Sequence, residues 1–193
     1  MTICACWEAT CCKTLMIVLN PYDIAKILDQ LDEYTITPNG VTHKGKKVII
    51  INQKKDWSTL KELPNPHLNI PCYFLKNNKC ELHDKETGKE LSNALTKIGV
   101  NTSAKPMICR HHPRYYDTND RVTLKFKNCH RPNIYEIELT SNKELEKEAL
   151  ITEQIISKML THYDKTGDYP IIEIAEELIK GKTEKLERML EMY

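Results

Sequence analysis

Glycine is scarce in this chain, with six in 193 residues, and no two of them form a G-x-G pair. That excludes a Gly-rich dinucleotide turn, and no G-x-x-x-x-G-K-[ST] loop occurs to cradle phosphates. An excess of one charge is also missing. The 28 Lys and Arg stand against 27 Asp and Glu, a formal net charge of +1, so there is no broad electrostatic footprint for nucleic acid or an anionic membrane. Long apolar runs are absent too. Near the N-terminus the apolar stretch is Leu15–Leu19, far short of the roughly 20 residues that span a bilayer. Met1-Thr2-Ile3-Cys4 lacks the basic region of a secretory signal. No H-E-x-x-H or Ser-His-Asp pattern is visible. These absences point to a cytoplasmic protein with neither nucleic-acid nor membrane partners, in a compartment where thiols stay reduced.

What the chain does have is cysteine, eight in 193 residues. That is too few for a disulfide scaffold, which starts at roughly 8–10%, and more than packing asks for. Cys4, Cys6, Cys11 and Cys12 form one group; Cys72 and Cys80 a second; Cys109 and Cys129 stand apart. A lone cysteine is most often a small buried hydrophobe, and cytosolic disulfides occur in thermophiles. Eight grouped thiols favour a metal instead. Zinc takes four thiolates in a tetrahedron and [4Fe–4S] clusters are usually held by four cysteines. The count allows two such sites, or one site plus structural thiols. None of the spacings is the C-x-x-C of a zinc ribbon.

Around these thiols the patterning predicts an α+β fold: a small, irregular, Cys-rich metal-binding domain with short strands over 1–140, then a helical C-terminal extension over 141–193 packed on it. Lys13–Leu19 reads as a strand. Asn20-Pro21 with Asp23 opens a helix whose apolar face is Ile24, Ile27, Leu28 and Leu31. Asn39-Gly40 signals a hairpin and Val48–Ile51 a buried strand. The stretch from Asp56 to Tyr116, broken by Pro64, Pro66, Pro71, Pro106 and Pro113, reads as irregular apart from a short helix over Gly88–Lys97. Arg121–Phe126 and Ile134–Leu139 alternate like strands. After Ser141, which with Glu144 fits a capping box, three helices are expected: one carrying Leu145, Ala149, Ile156, Met159 and Tyr163, then Ile171–Lys180 and Lys182–Tyr193. Lys143, Glu144, Glu146, Lys147 and Glu148 read as a solvated helical face.

Three pieces of the chain carry a family resemblance. The first is Cys6-x4-Cys11-Cys12-Lys13, followed by an apolar strand and a helix bearing Asp23. The second is Cys72-Tyr73-Phe74-Leu75-x-x-Asn78-x-Cys80-x-x-His83, running into Gly88-x-x-Leu91-Ser92. The third is Cys109-Arg110-x-x-Pro113-Arg114-Tyr115, with Cys129 beyond it. Together they resemble the zinc- or iron-chelating proteins named for a CxxCxxCC signature (YkgJ-type), and more closely their flagellin lysine-N-methylase branch (FliB-type). The chain departs from that pattern in reading C-x-C-x4-CC at the start, in the insertion Asn93–Ile108, and in being much shorter than the methylases. The resemblance implies a zinc or iron–sulfur (4Fe–4S) centre on Cys4 or Cys6, Cys11, Cys12, Cys72, Cys80, Cys109 and Cys129. For the methylase branch it implies methyl transfer from S-adenosylmethionine to lysines of a protein substrate. A related Fe–S oxidoreductase is the other enzyme reading, and the alternative is a non-enzymatic metal-binding module with a structural centre, acting in metal handling or as a protein partner.

Other residues near the thiols have candidate roles. Arg110 and Arg114 are suited to neutralise a thiolate-bound cluster or to grip a cofactor carboxylate. His83, His111, His112 and His130 sit within three residues of a cysteine and could ligate metal. Trp7, Tyr73, Tyr115 and Tyr116 could shield a centre from water.

Overall fold

Asn20-Pro21 starts a helix for the reasons visible in the sequence. In the computed structural model, which describes residues 12–13, 17–55, 62–111, 114–117, 121–124 and 143–192, the Asn20 side-chain oxygen accepts from the Asp23 backbone N–H at 2.8 Å and its amide donates to the Asp23 carboxylate at 2.8 Å. Helix α1 (Pro21–Leu28) is buried along its whole length, Asp23 and Lys26 included. Because the cap satisfies donors that have no water to turn to, Asn20→Ala is expected to cost about 1–2 kcal/mol, read as a drop in the urea unfolding midpoint.

The chain then builds a four-stranded antiparallel meander in sequence order: β1 (Thr35–Thr37), β2 (Gly40–His43), β3 (Lys46–Lys55) and β4 (Glu62–Leu68). The hairpin at Asn39-Gly40 forms as the sequence predicts. Gly40 sits at φ +130°, where a Cβ would come 2.1 Å from the Ile49 carbonyl oxygen, so only glycine fits. Lys44 and Gly45 make the next turn with φ of 48° and 74°, the left-handed pair that suits a two-residue hairpin. The expected strand at Val48–Ile51 runs longer, over Lys46–Lys55. Strand β4 occupies part of the stretch that reads as irregular. Its prolines can stand there because Leu68 N–H bonds to the Ile17 carbonyl at 3.0 Å. By the alternation of a strand, Pro64 and Pro66 place their missing donors on that same side, away from β3. Of the strand predicted at Lys13–Leu19, the described part contributes only a bridge from Val18 to His67.

Two short hairpins follow, β5 (Leu75–Lys76) with β6 (Lys79–Cys80), and β7 (Arg114–Asp117) with β8 (Arg121–Leu124). The helices are α2 (Lys89–Lys97), α3 (Met107–His111), α4 (Lys143–Thr166), α5 (Ile171–Ile179) and α6 (Glu184–Met192). The fold is α+β. Among the described residues no helix is long and apolar enough to cross a membrane. The strand predicted at Ile134–Leu139 and the cap at Ser141 lie outside the described residues.

One apolar core joins the front of the chain to its tail. Helix α5 packs on α1 and α2, bringing Ile171, Ile174, Ala175 and Leu178 against Tyr22, Ile24, Leu91 and Leu95 in the same buried cluster. The buried edge of α4 is Ala149, Ile155 and Met159, with Ile156 only half-buried, one position away from the expected face. Glu148 corrects the reading of a solvated charge run. It is 2% exposed, while Lys147 beside it is exposed.

Candidate metal centre

The second cysteine group is placed by a tight turn. Asn77 and Asn78, with φ of 48° and 59°, close the β5–β6 hairpin and set Leu75 opposite Cys80; asparagine tolerates this left-handed region better than most residues. Cys72 precedes the hairpin, in a turn closed by Leu75 N–H to its carbonyl at 3.0 Å. The Cys72 backbone N–H also donates to the Cys12 carbonyl at 2.7 Å. That bond ties Cys12 to the segment leading into the hairpin.

The side chains follow the backbone. The Cys12 thiol hydrogen-bonds to the Cys80 sulfur, and this bond does most to hold the Cys80 thiol down at about 6. Burial opposes it, while the Leu82 N–H and the charges of Lys105 and His83 add to the lowering. A thiol brought down this far is substantially thiolate at neutral pH, the form that binds metal. Cys72, Cys80 and Cys109 all pack half-buried against the apolar core. Thus the structure brings Cys12 to Cys80 in direct contact and sets the Cys72 backbone beside them. Cys109 lies on α3, against the same core. Cys4, Cys6, Cys11 and Cys129 lie outside the described residues, as do Trp7, His112 and His130. Among the described residues no group of three or more His, Cys, Asp or Glu side chains is placed to hold a metal ion.

Arg110 follows Cys109 but its guanidinium is directed to the buried Glu148 of α4, with which it forms an ion pair. This pair belongs to a buried charge cluster that the sequence reading did not find. Lys26 Nζ lies 3.8 Å from Glu148 and 5.5 Å from the Tyr22 ring centroid, fully buried and, among the described residues, without a hydrogen-bond partner. Burial lowers its pKa, and Asp23 and Glu148 pull the other way. The Tyr22 hydroxyl meets that of Thr152 on α4. Asp23 accepts from the Met107 backbone N–H at 2.9 Å, pinning the start of α3. The one sequence signal for this cluster is Asp23 and Lys26 at i, i+3 on a helix with no exposed face.

Burial raises the Asp23 carboxyl from its ordinary 3.8 to about 6, against the Lys26 charge and the Met107 N–H. A carboxyl raised by folding keeps its proton in the native state after the unfolded chain has released it. Its contribution to stability therefore falls as pH rises from about 4 to about 6. Asp23→Asn is expected to reduce that fall, seen by comparing denaturant midpoints of the variant and the wild type at pH 4 and pH 7. An unchanged pH dependence would mean that Asp23 does not titrate in this window.

His83 pairs with Asp84 at 2.5 Å, beside Cys80. Tyr73 hydrogen-bonds to His43 at 2.6 Å, and His43 in turn meets Asp32. The side chains of His111, Arg114, Tyr115 and Tyr116 lie outside the description. No protein-family model, no curated protein and no solved structure matches the chain.

Proposed function

We propose that this protein holds a cysteine-ligated metal centre, iron–sulfur or zinc, with Cys12 and Cys80 as ligands, Cys72 alongside, and the N-terminal cysteines completing the set. The observation that carries the reading is the contact between the Cys12 and Cys80 thiols, with Cys80 held near 6. Two soft donors in contact, one of them readily deprotonated, fit zinc or a cluster iron by their chemistry. A reducing compartment such as the cytoplasm would keep them available.

The test is anaerobic purification followed by metal and sulfide analysis and an absorption spectrum. Iron with acid-labile sulfide and a brown colour supports a cluster, and stoichiometric zinc without colour supports a zinc centre. Metal-free protein, before and after reconstitution, with Cys12 and Cys80 recovered as a disulfide, would overturn the reading.

The motif resemblance extends the proposal to an enzyme that methylates lysines of a protein partner from S-adenosylmethionine. In that reading the cofactor supplies the methyl group, and the chain binds it beside the centre without a Gly-rich loop. Mass spectrometry of candidate proteins incubated with the cofactor and the loaded chain decides it. No mass increment leaves the non-enzymatic metal module.

A further inference from the structure

The turn that leads from β2 into β3 also shapes a cavity of about 490 Å³, within the ~300–1,000 Å³ typical of small-molecule sites. Its charged lining is Lys46, Lys47 and Lys76, and among the described residues no carboxylate lines it. Lys46 and Lys47 open β3 directly after that turn, and both line this cavity.

The ammonium groups differ in what they already touch. Lys76 pairs with Glu81 at 2.8 Å, and Lys44 nearby is held by Asp32 at 2.7 Å. Among the described residues neither Lys46 nor Lys47 has a carboxylate at salt-bridge distance, and both are exposed. Two lysines without a described carboxylate partner in the lining of one cavity match the roughly −1.5 to −2 charge of a phosphate monoester near neutral pH.

The rest of the lining is fixed and largely apolar. Tyr73 packs edge-on against His43 and Phe74, with ring centroids 5.4 and 5.3 Å away. Its hydroxyl is engaged by His43, which is itself buried and paired to Asp32. With the second ring nitrogen donating to Asp32, His43 accepts from the phenol. Tyr73 therefore gives the cavity its ring, not a spare donor. Pro71 and Leu75 extend the same wall. An inorganic ion would leave this wall unused.

We infer that this cavity is a binding site for a small phosphate monoester with an apolar or aromatic body, the phosphate held by Lys46 and Lys47 and the body lying on Tyr73, Pro71 and Leu75. The site goes beyond the metal centre and does not rest on it, although Cys72 opens onto the same cavity.

Phenyl phosphate, inorganic phosphate and phenol serve as probes, titrated calorimetrically into the full chain at low salt. Phenyl phosphate is expected to bind with a dissociation constant near or below roughly 1 mM, more tightly than either of the other two. Lys46→Gln/Lys47→Gln is expected to weaken it by about tenfold or more. These exposed substitutions keep every thiol, so metal content should not change, and a failure here is distinct from a failure of the metal reading. No binding of phenyl phosphate would overturn the proposal, as would equal binding by the double variant or phenol binding as well as its phosphate. Inorganic phosphate binding as tightly as phenyl phosphate would overturn the assignment of the apolar wall.

Discussion

Cys80→Ser is expected to strip the protein of its metal, leaving roughly a tenth or less of the wild-type content after anaerobic purification. A serine hydroxyl is not deprotonated at neutral pH and is a poor ligand for a soft metal. Even changing the groups that merely support a ligand costs about 10–100-fold in affinity. The effect should reach stability as well. Structural zinc contributes about 10–16 kcal/mol in small peptides, against a net stability of about 5–15 kcal/mol for a whole domain. Melting temperature should therefore fall sharply on chelation of the wild type, and chelation should do little more to the variant. Cys12→Ser should behave alike, because Cys12, in contact with Cys80, is the second proposed ligand and serine is as poor a substitute there. If both variants retained full metal content, these two thiols would not be ligands.

Glu148→Ala is expected to destabilise the fold by about 3–5 kcal/mol, the range found when one partner of a buried ion pair is removed. Glu148 is the carboxylate between Lys26 and Arg110. Its loss leaves Lys26 fully buried with Asp23 and, to a smaller extent, Glu86 to oppose its charge. The control is the triple change Lys26→Met, Arg110→Met and Glu148→Leu, which removes three charges together and keeps apolar volume. It should recover much of the loss, since buried ion pairs are often replaced by hydrophobic residues at no net cost. Urea unfolding of both variants measures the difference. A Glu148→Ala midpoint close to wild type would mean that water reaches Lys26 readily.

The legible part of this structure is local. Asn20-Pro21-x-Asp23 specifies a helix start by chemistry contained within four residues, and Asn39-Gly40 specifies a turn in two. Strand β4 was hidden because proline is a breaker unless its missing N–H faces away from the ladder. That condition depends on Ile17 lying alongside, which no window around Pro64 and Pro66 contains. The sequence Lys143-Glu144-x-Glu146-Lys147-Glu148 carries the composition of a wet face. What removes Glu148 from water is the far-off side chains of Lys26 and Arg110. The thiols divide the same way. Their grouping could be read directly, while the meeting of Cys12 with Cys80 needed the backbone bond from Cys72 to Cys12, a contact made only on folding.

The buried carboxylate at Glu148 also bears on the order of events during synthesis. Domains tend to fold from the N-terminus as the chain emerges. Here α1 emerges early with Lys26 and Asp23 on it, and Glu148, the carboxylate from another element that shares in balancing this amine, follows more than a hundred positions later. Until α4 has left the ribosome, a collapsed N-terminal part would have to bury Lys26 without its Glu148 partner or keep α1 open to water. Arrest of translation before α4 should therefore leave α1 open to proteases, and release past it should close the core in one late step.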